Sequence, residues 1–224
     1  SGTLIAELEF DGGRLIRCGD IDVKDFFAEL KVDASQSGAQ IHRQLQKDTK
    51  LNYLDTPLKH VVDEIALQHG IPILLDRRAF DHAGIQPDLL VQSDVQYIPL
   101  FAAMSVLLSP HDLTCVYRFE LLWITTLENT EIKKDPLTTL HADGIQIENR
   151  EAKFVYRDQP LDEVLQDLSS RYGLHFSNEV SREVRVTLSL SGLSLLSTLR
   201  TMLYLHGLRA EVVDGVVVIQ DELP

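Results

Sequence analysis

An internal repeat constrains the fold of this sequence more than any other feature. Residues 51–76 align without a gap on residues 154–179 at an offset of 103, and residues 99–124 align on residues 194–219 at an offset of 95. The aligned identities are Tyr53/Tyr156, Asp55/Asp158, Pro57/Pro160, Leu58/Leu161, Val61/Val164, Gly70/Gly173, Leu100/Leu195, Leu108/Leu203, His111/His206, Leu113/Leu208 and Ile124/Ile219. The offsets differ by 103 − 95 = 8 residues, which indicates one insertion in the first copy. Because a repeated sequence unit predicts a repeated supersecondary unit, we expect two domains of one fold.

Length and composition agree with two small globular domains. The 224 residues exceed one typical domain of about 100 to 150 residues. A hydrophobic content of 44% and a charged content of 25% argue against a disordered or fibrous chain. The net charge is 21 − 34 = −13, with the acidic residues scattered along the chain. Such a surface repels phosphate backbones, so general nucleic-acid binding is disfavoured.

The sequence shows no targeting or membrane-spanning segment. No apolar run approaches the length of about 18 residues that a bilayer-crossing helix requires. The chain begins at Ser1 without a charged region followed by an apolar region, and Ser1-Gly2 is typical of a cleaved tag. We therefore expect that an original signal peptide is missing from this sequence.

The first half of the second copy predicts a strand, a helix and a short strand. Residues 152–156 alternate and carry aromatic and β-branched side chains, which favours a strand. Pro160 suits the first helical position because the amide that proline lacks has no partner there, and Gly173 suits the left-handed end of a helix. Residues 174–177 form the short strand. The apolar face of the helix recurs at helical spacing in Leu161, Val164, Leu165, Leu168 and Tyr172.

The second half predicts a strand, a helix and a closing hairpin. Residues 184–190 alternate as a strand, and a leucine-rich stripe over residues 195–203 predicts a helix that ends at His206-Gly207. Asp214-Gly215 between two β-branched runs predicts a tight hairpin turn. The order is therefore strand, helix, strand, strand, helix, strand, strand.

The first copy predicts the same order with three differences. Thr56 is expected to cap the helix that begins at Pro57, and the eight extra residues are expected to form a loop over residues 81–88. A longer or bulged hairpin is expected at Arg118-Phe119-Glu120, in place of the Asp-Gly turn. Each copy suits a small α+β domain in which two helices pack on a mixed sheet.

The predicted organisation has four parts. Residues 1–48 form an N-terminal segment with a hairpin over residues 4–18, which could be the end of a preceding unit, and a linker over residues 35–38. Residues 49–126 form the first domain, and residues 127–150 join it to the second domain over residues 151–222.

The residue types of catalytic and metal sites do not occur in patterns that predict chemistry. His69 and His206 precede helix-terminating glycines, where we expect a partly protonated imidazole to meet the negative end of the dipole. The sequence has no HExxH, CxxC, GxSxG, GxGxxG or P-loop pattern. A disulfide between Cys18 and Cys115 is possible, although a buried thiol is expected for Cys115. We therefore predict no catalytic residues, no metal and no cofactor, and the sequence singles out no binding residue.

A KH-like nucleic-acid-binding module is a disfavoured alternative for these domains. Small α+β domains of this order can resemble KH units, which bind RNA through a GxxG loop between helices. Neither copy has a GxxG loop, and the net charge of −13 opposes binding.

The second copy resembles the secretin and TonB short N-terminal domain family, or STN family. The resemblance is carried by residues 154–176, FVYRDQPLDEVLQDLSSRYGLHF, by residues 184–199, VRVTLSLSGLSLLSTL, and by the Asp214-Gly215 hairpin. It covers residues 152–220 closely and residues 51–125 more loosely. The family pattern is a strand, a Pro-Leu helix ending in Gly, a Val-rich strand, a Leu-rich helix and a closing hairpin.

The resemblance implies a non-enzymatic interaction module of a bacterial cell-envelope assembly, located in the periplasm. In secretins such domains face inner-membrane partners, and in TonB-dependent transducers they contact an anti-sigma regulator. The implied partners are other envelope proteins or copies of the chain itself. A structural spacer of a large envelope protein is the alternative, and an enzyme with a site between the copies is a third hypothesis.

Overall fold

The computed structural model of the chain describes residues 8–11, 14–18, 21–33, 35–86, 88–131, 135–137 and 151–222. The chain divides into two compact units, Ser1–Thr130 and Glu131–Pro224, which we call unit 1 and unit 2. The division falls within the segment 127–150 that was predicted to join two domains.

Unit 1 contains both the first repeat and the N-terminal segment. Its helices and strands are β1 (Leu8–Asp11), β2 (Arg14–Cys18), β3 (Ile21–Asp22), α1 (Val23–Leu30), α2 (Gln36–Leu45), β4 (Asp48–Pro57), α3 (Leu58–His69), β5 (Ile73–Leu75), α4 (Arg77–Ala83), β6 (Leu90–Pro99), α5 (Leu100–Leu108), β7 (Leu113–Arg118) and β8 (Leu121–Thr126).

Unit 2 contains the second repeat. Its helices and strands are β9 (Glu151–Pro160), α6 (Leu161–Tyr172), β10 (Phe176–Asn178), β11 (Arg185–Ser194), α7 (Leu195–Leu205), β12 (Leu208–Val213) and β13 (Val216–Asp221). The predicted α+β class is confirmed. Unit 2 has the predicted order of strands and helices, and the first repeat has the same order with one additional helix, α4.

Each repeat builds two sheets where a single mixed sheet was expected. In unit 1, β4 and β6 pair as an antiparallel ribbon, while β5, β8 and β7 form a three-stranded sheet in that order. In unit 2, β9 and β11 form the ribbon, and β10, β13 and β12 form the sheet. The short strand of each sheet runs parallel to its neighbour, and the closing hairpin is antiparallel.

Proline ends each long ribbon strand and leads directly into a helix. Pro57, Pro99 and Pro160 occupy the N-cap position, one residue earlier than the sequence predicted. The amides of Leu58 and Leu161 donate to Leu89 O at 2.8 Å and to Val184 O at 2.9 Å. The carbonyl of the residue before β6 or β11 thus satisfies the first amide of each helix, and neither helix has a side-chain cap.

The predicted cap at Thr56 is wrong. Thr56 lies inside β4, and its hydroxyl donates to Leu54 O at 3.1 Å. The helix ends, by contrast, follow the sequence: Gly70 and Gly173 adopt φ angles of 61° and 69° as left-handed caps.

The predicted loop over residues 81–88 is partly a helix. Helix α4 begins after Asp76, whose Oδ1 accepts from Ala79 N at 3.1 Å. Its side chain Phe80 is 1% exposed, and Gly84 ends the helix with a φ of 69°. Glycine and proline mark the end of this insertion in the sequence, whereas the capping role of Asp76 and the burial of Phe80 at its start depend on the folded structure.

The predicted long hairpin at residues 118–120 is also wrong. Arg118 pairs with Leu121, so Phe119 and Glu120 alone form the turn. Their φ angles are 51° and 62°, the conformation that a two-residue primed turn requires. The Asp214-Gly215 turn of unit 2 is confirmed, with φ angles of 51° and 80°.

The N-terminal segment shares the core of the first repeat. The ring centroids of Phe26 and Phe27 on α1 lie 5.2 Å and 5.3 Å from the ring centroid of Phe101 on α5. Helix α2 begins where a linker was predicted, because Ser35 Oγ accepts from Gly38 N at 2.9 Å and caps it. Its Ile41 and Leu45 are fully buried in the same core. The predicted hairpin is confirmed for β1 and β2, while residues 1–7, 12 and 13 lie outside the described part.

Candidate functional site

Each unit carries a two-stranded ribbon. Ribbon 1 consists of β4 and β6, and ribbon 2 consists of β9 and β11. Each of these strands has 10 residues. Among the described residues, each has one neighbouring strand. The other side of such a strand presents amide and carbonyl groups that can pair with an added strand. The outer sides of the two ribbons are therefore the candidate interaction surface.

Both ribbons bend at an equivalent aspartate. In ribbon 1 the register shifts between Tyr53 and Thr56, and the bulge contains Asp55 with a φ of 45°. In ribbon 2 the equivalent Asp158 has a φ of 51°. Aspartate adopts this left-handed conformation more readily than most residues. The two copies thus share the aspartate because each ribbon has a bulge at this position.

A second bulge differs between the units. Tyr97 is the extra residue of β6, with a φ of 59°, and Gly192 is the extra residue of β11, with a φ of 74°. Glycine adopts this conformation without strain, whereas a tyrosine does not. The Tyr97 side chain is 82% exposed, so the described structure offers it little packing in return.

In ribbon 2, an arginine from the facing strand holds the bulge aspartate. Arg185 Nε donates to Asp158 Oδ1 at 2.7 Å and Nη2 donates to Oδ2 at 3.0 Å. Nη2 also donates to the carbonyl oxygen of Asp158. The hydrogen bonds from Arg185 hold the pKa of the Asp158 carboxyl below its ordinary value. The guanidinium therefore contacts both the side chain and the backbone of the bulge.

In ribbon 1, the same place is apolar. Leu90 pairs with Pro57 as Arg185 pairs with Pro160, so Leu90 takes the position of the arginine. Leu90 is 54% exposed and Leu54 is 76% exposed. We call Leu54, Asp55 and Leu90 the Asp55 patch. Among the described residues, no side chain is found donating to the Asp55 carboxylate.

The ribbons also differ along the outer side of the first strand. In unit 2, Arg171 on α6 donates from Nη1 to Lys153 O at 3.0 Å and from Nη2 to Tyr156 Oη at 2.8 Å. Tyr156 Oη in turn donates to Asp167 Oδ2 at 2.6 Å. Burial raises the pKa of Tyr156, which keeps the phenol protonated as a donor. This network occupies a carbonyl that an added strand would use.

Unit 1 keeps the tyrosine and the carboxylate of this network without the arginine. Burial, together with the neighbouring Glu64, raises the pKa of Tyr53 to about 12. Gln68 stands where unit 2 has Arg171. The outer side of β4 therefore lacks the guanidinium that covers part of β9.

A buried polar cluster lies beneath α4 in unit 1. Asp76 is fully buried, and its Oδ2 accepts from Thr125 Oγ1 at 2.9 Å and from Asn129 Nδ2 at 3.0 Å. Arg118, whose side chain is 7% exposed, lies 3.5 Å from the same oxygen. Because donors surround the carboxylate, its burial is compensated. The cluster connects β7, β8 and the start of α4, and we interpret it as structural.

In unit 2, the pair of side chains equivalent to Asp76 and Thr125 forms its hydrogen bond at the protein surface. Glu179 and Gln220 stand where unit 1 has Asp76 and Thr125, and Gln220 Nε2 donates to Glu179 Oε2 at 2.9 Å. Unit 2 has no helix equivalent to α4 among its described residues, and Glu179 is exposed. The insertion in the first copy thus buries a contact that the second copy leaves at the surface.

The sequence predicts partly protonated imidazoles at two helix ends, whereas the pKa of each of these histidines is lowered. Burial lowers the pKa of His69, whose Nε2 lies 3.0 Å from Thr49 Oγ1. Burial, with Arg182 nearby, also lowers the pKa of His206. A neutral imidazole is therefore favoured at both positions, because desolvation outweighs the helix dipole.

Other residues with chemical potential are placed as follows. Cys115 is a free cysteine, so it is not joined to Cys18. Burial raises the pKa of its thiol to about 12. In the described residues, no group of three or more His, Cys, Asp or Glu side chains is arranged to hold a metal ion. His141 lies outside the described part of the chain.

The described helices are short: none combines the length and the apolar character that crossing a bilayer requires. Comparisons of this chain with protein-family models, with curated proteins and with solved structures found no match.

Proposed function

We propose that this chain is a non-enzymatic protein-interaction module of a bacterial cell-envelope assembly, and that the ribbons provide its contact surfaces. One observation carries the proposal: each ribbon strand has 10 residues and a single neighbouring strand within the described part of the chain. Extended partner segments bind such strands through backbone hydrogen bonds, while side chains on the exposed face supply selectivity. The envelope location is supported by the resemblance to the STN family.

The exposed faces of the ribbons differ, which favours different partners for the two units. Positions occupied by Leu54, Leu90 and Asp94 in ribbon 1 are occupied by Arg157, Arg185 and Ser189 in ribbon 2. All six side chains are exposed. The shared scaffold thus presents an apolar and acidic face in one unit and a basic, hydroxyl-bearing face in the other.

Site-specific photocrosslinking tests this proposal. A photoreactive amino acid is placed at Gln92 of ribbon 1 and at Ser189 of ribbon 2, and the purified chain is irradiated with envelope extract. Controls carry it at Lys59 and at Glu163, exposed positions on α3 and α6. We expect discrete adducts from the ribbon positions and weaker ones from the helices. Equal labelling at all four positions, or none, would contradict the proposal.

One observation favours the spacer alternative for unit 2. Arg171 binds the outer carbonyl of Lys153, a contact that hinders strand addition to β9. If unit 2 is a spacer, crosslinks will form from Gln92 and not from Ser189.

A further inference from the structure

The repeat supplies an internal comparison for the Asp55 patch. Ribbons 1 and 2 have the same register around the first bulge, and Asp55 and Asp158 have φ angles within 51° − 45° = 6° of each other. Unit 2 therefore shows which group contacts the bulge aspartate when the position beside it is occupied. The occupant there is a guanidinium, which contacts both carboxylate oxygens and the carbonyl oxygen of the aspartate.

Unit 1 keeps the aspartate and lacks the arginine. Leu90 replaces Arg185, and Leu54 replaces the neighbouring Arg157. Leu54, 76% exposed, precedes Asp55 in the bulge, and Leu90, 54% exposed, has the register position from which Arg185 reaches Asp158. Single exposed leucines are common on protein surfaces, but two around a carboxylate that no described side chain pairs with suit a ligand with an apolar body and a cationic end.

We propose that the Asp55 patch binds an arginine side chain of an extended partner segment. The guanidinium takes the place that Arg185 fills in unit 2, and the apolar stem of the arginine, with its flanking residues, covers Leu54 and Leu90. The planar fork of arginine matches a carboxylate through two parallel hydrogen bonds, which a lysine ammonium does not form. This inference rests on the proposed function and names the chemistry of a partner for ribbon 1.

A short peptide provides the probe. The peptide acetyl-Val-Arg-Val-Thr-Leu-amide has the sequence of residues 184–188, which contain the arginine that fills the site in unit 2. It is titrated into the isotope-labelled chain, and amide shifts are followed by NMR. A second peptide has citrulline, which is uncharged and of similar shape, in place of arginine. We expect saturable shifts around Asp55 with the first peptide and binding about tenfold weaker with the second.

Three variants locate the binding site. Leu90→Arg places a guanidinium in the patch from within the chain, and Asp55→Asn removes the charge while keeping a residue that tolerates the left-handed conformation. Both are expected to weaken peptide binding about tenfold or more. Leu67→Arg adds the same charge at a leucine that is 86% exposed on α3, and it should bind as the original chain does. Trp123 fluorescence confirms that unit 1 of each variant is folded.

Several results would overturn the inference. These are equal binding of the two peptides, undiminished binding to Leu90→Arg, or no saturable shift up to about 10 mM peptide. Self-association that Leu90→Arg abolishes, without peptide binding, would instead assign the patch to contact between copies. Crosslinks from Gln92 that persist in Leu90→Arg would keep the proposed function while rejecting the arginine site, so the two failures are distinguishable.

Discussion

At the scale of single residues, equivalent positions of the two units show which side chains the backbone demands. Asp55 and Asp158 are identical because a bulge requires a left-handed residue at both places. Tyr97 and Gly192 share such a position although their side chains differ completely. Local strain is often retained where a side chain contacts a partner, so Tyr97 marks a second point of interest on ribbon 1.

Replacing Tyr97 with glycine should stabilise unit 1. The variant Tyr97→Gly relieves the left-handed strain, partly offset by the greater chain entropy of glycine when unfolded. We expect the free energy of unfolding to rise by about 0.5 to 1 kcal/mol. Urea denaturation followed by Trp123 fluorescence measures it. Tyr97→Phe, which keeps the strain, should leave stability unchanged, and a fall for Tyr97→Gly would show that the ring makes stabilising contacts.

At the scale of elements, one insertion changes the environment of a side-chain contact that both units contain. Helix α4 lies over Asp76 and Thr125 in unit 1, whereas Glu179 and Gln220 meet in solvent in unit 2. A buried carboxylate needs every donor that surrounds it, but an exposed one can bind water. The same pair of positions should therefore contribute very differently to stability.

Removing Asp76 should destabilise unit 1 strongly. Asp76→Ala removes the carboxylate that faces the buried Arg118 and also removes the cap of α4, so the free energy of unfolding should fall by about 3 to 5 kcal/mol. The matched control is Glu179→Ala in unit 2, where we expect a change below about 0.5 kcal/mol. Trp123, the single tryptophan, reports on unit 1, and circular dichroism follows unit 2. Equal effects at the two positions would show that burial beneath α4 is not decisive.

At the scale of the whole molecule, each unit contains a histidine whose pKa is lowered by burial, and His69 is buried whereas His206 is half-buried. His69 lies in unit 1 and His206 in unit 2. A lowered pKa means that the folded state binds fewer protons than the unfolded state. Stability is then fully present above the unfolded pKa of about 6.5 and is lost as the pH falls through the folded pKa.

Acidification from pH 7 to pH 5 should therefore destabilise both units. The expected result is a decrease in the free energy of unfolding over this window, because carboxylates titrate mainly below about pH 4.5. His69→Gln should flatten the pH dependence of unit 1, and His206→Gln should flatten that of unit 2. His175→Gln is the control, since His175 is exposed. If neither His69→Gln nor His206→Gln alters the slope, another group is responsible.

Much of the fold was predictable from the sequence because its signals are local. Apolar periodicity marked the faces of α6 and α7, and glycine marked the ends of α3 and α6. The Asp214-Gly215 turn was equally readable. The turn at Phe119-Glu120 was not, since neither residue favours the conformation that the strand pairing imposes.

By itself, the sequence determined the α+β class, the order of the elements that the two copies share, and the duplication, since each depends on periods and caps within a few residues. The tertiary structure alone decided which side chains meet at the bulges and beneath α4. Asp158 and Arg185 are 27 residues apart, and Asp76 and Thr125 are 49 apart. Strand register brings such residues together, and a change of one residue in register would separate them. The contrast between the Asp55 patch and its filled counterpart therefore emerged only from the folded chain.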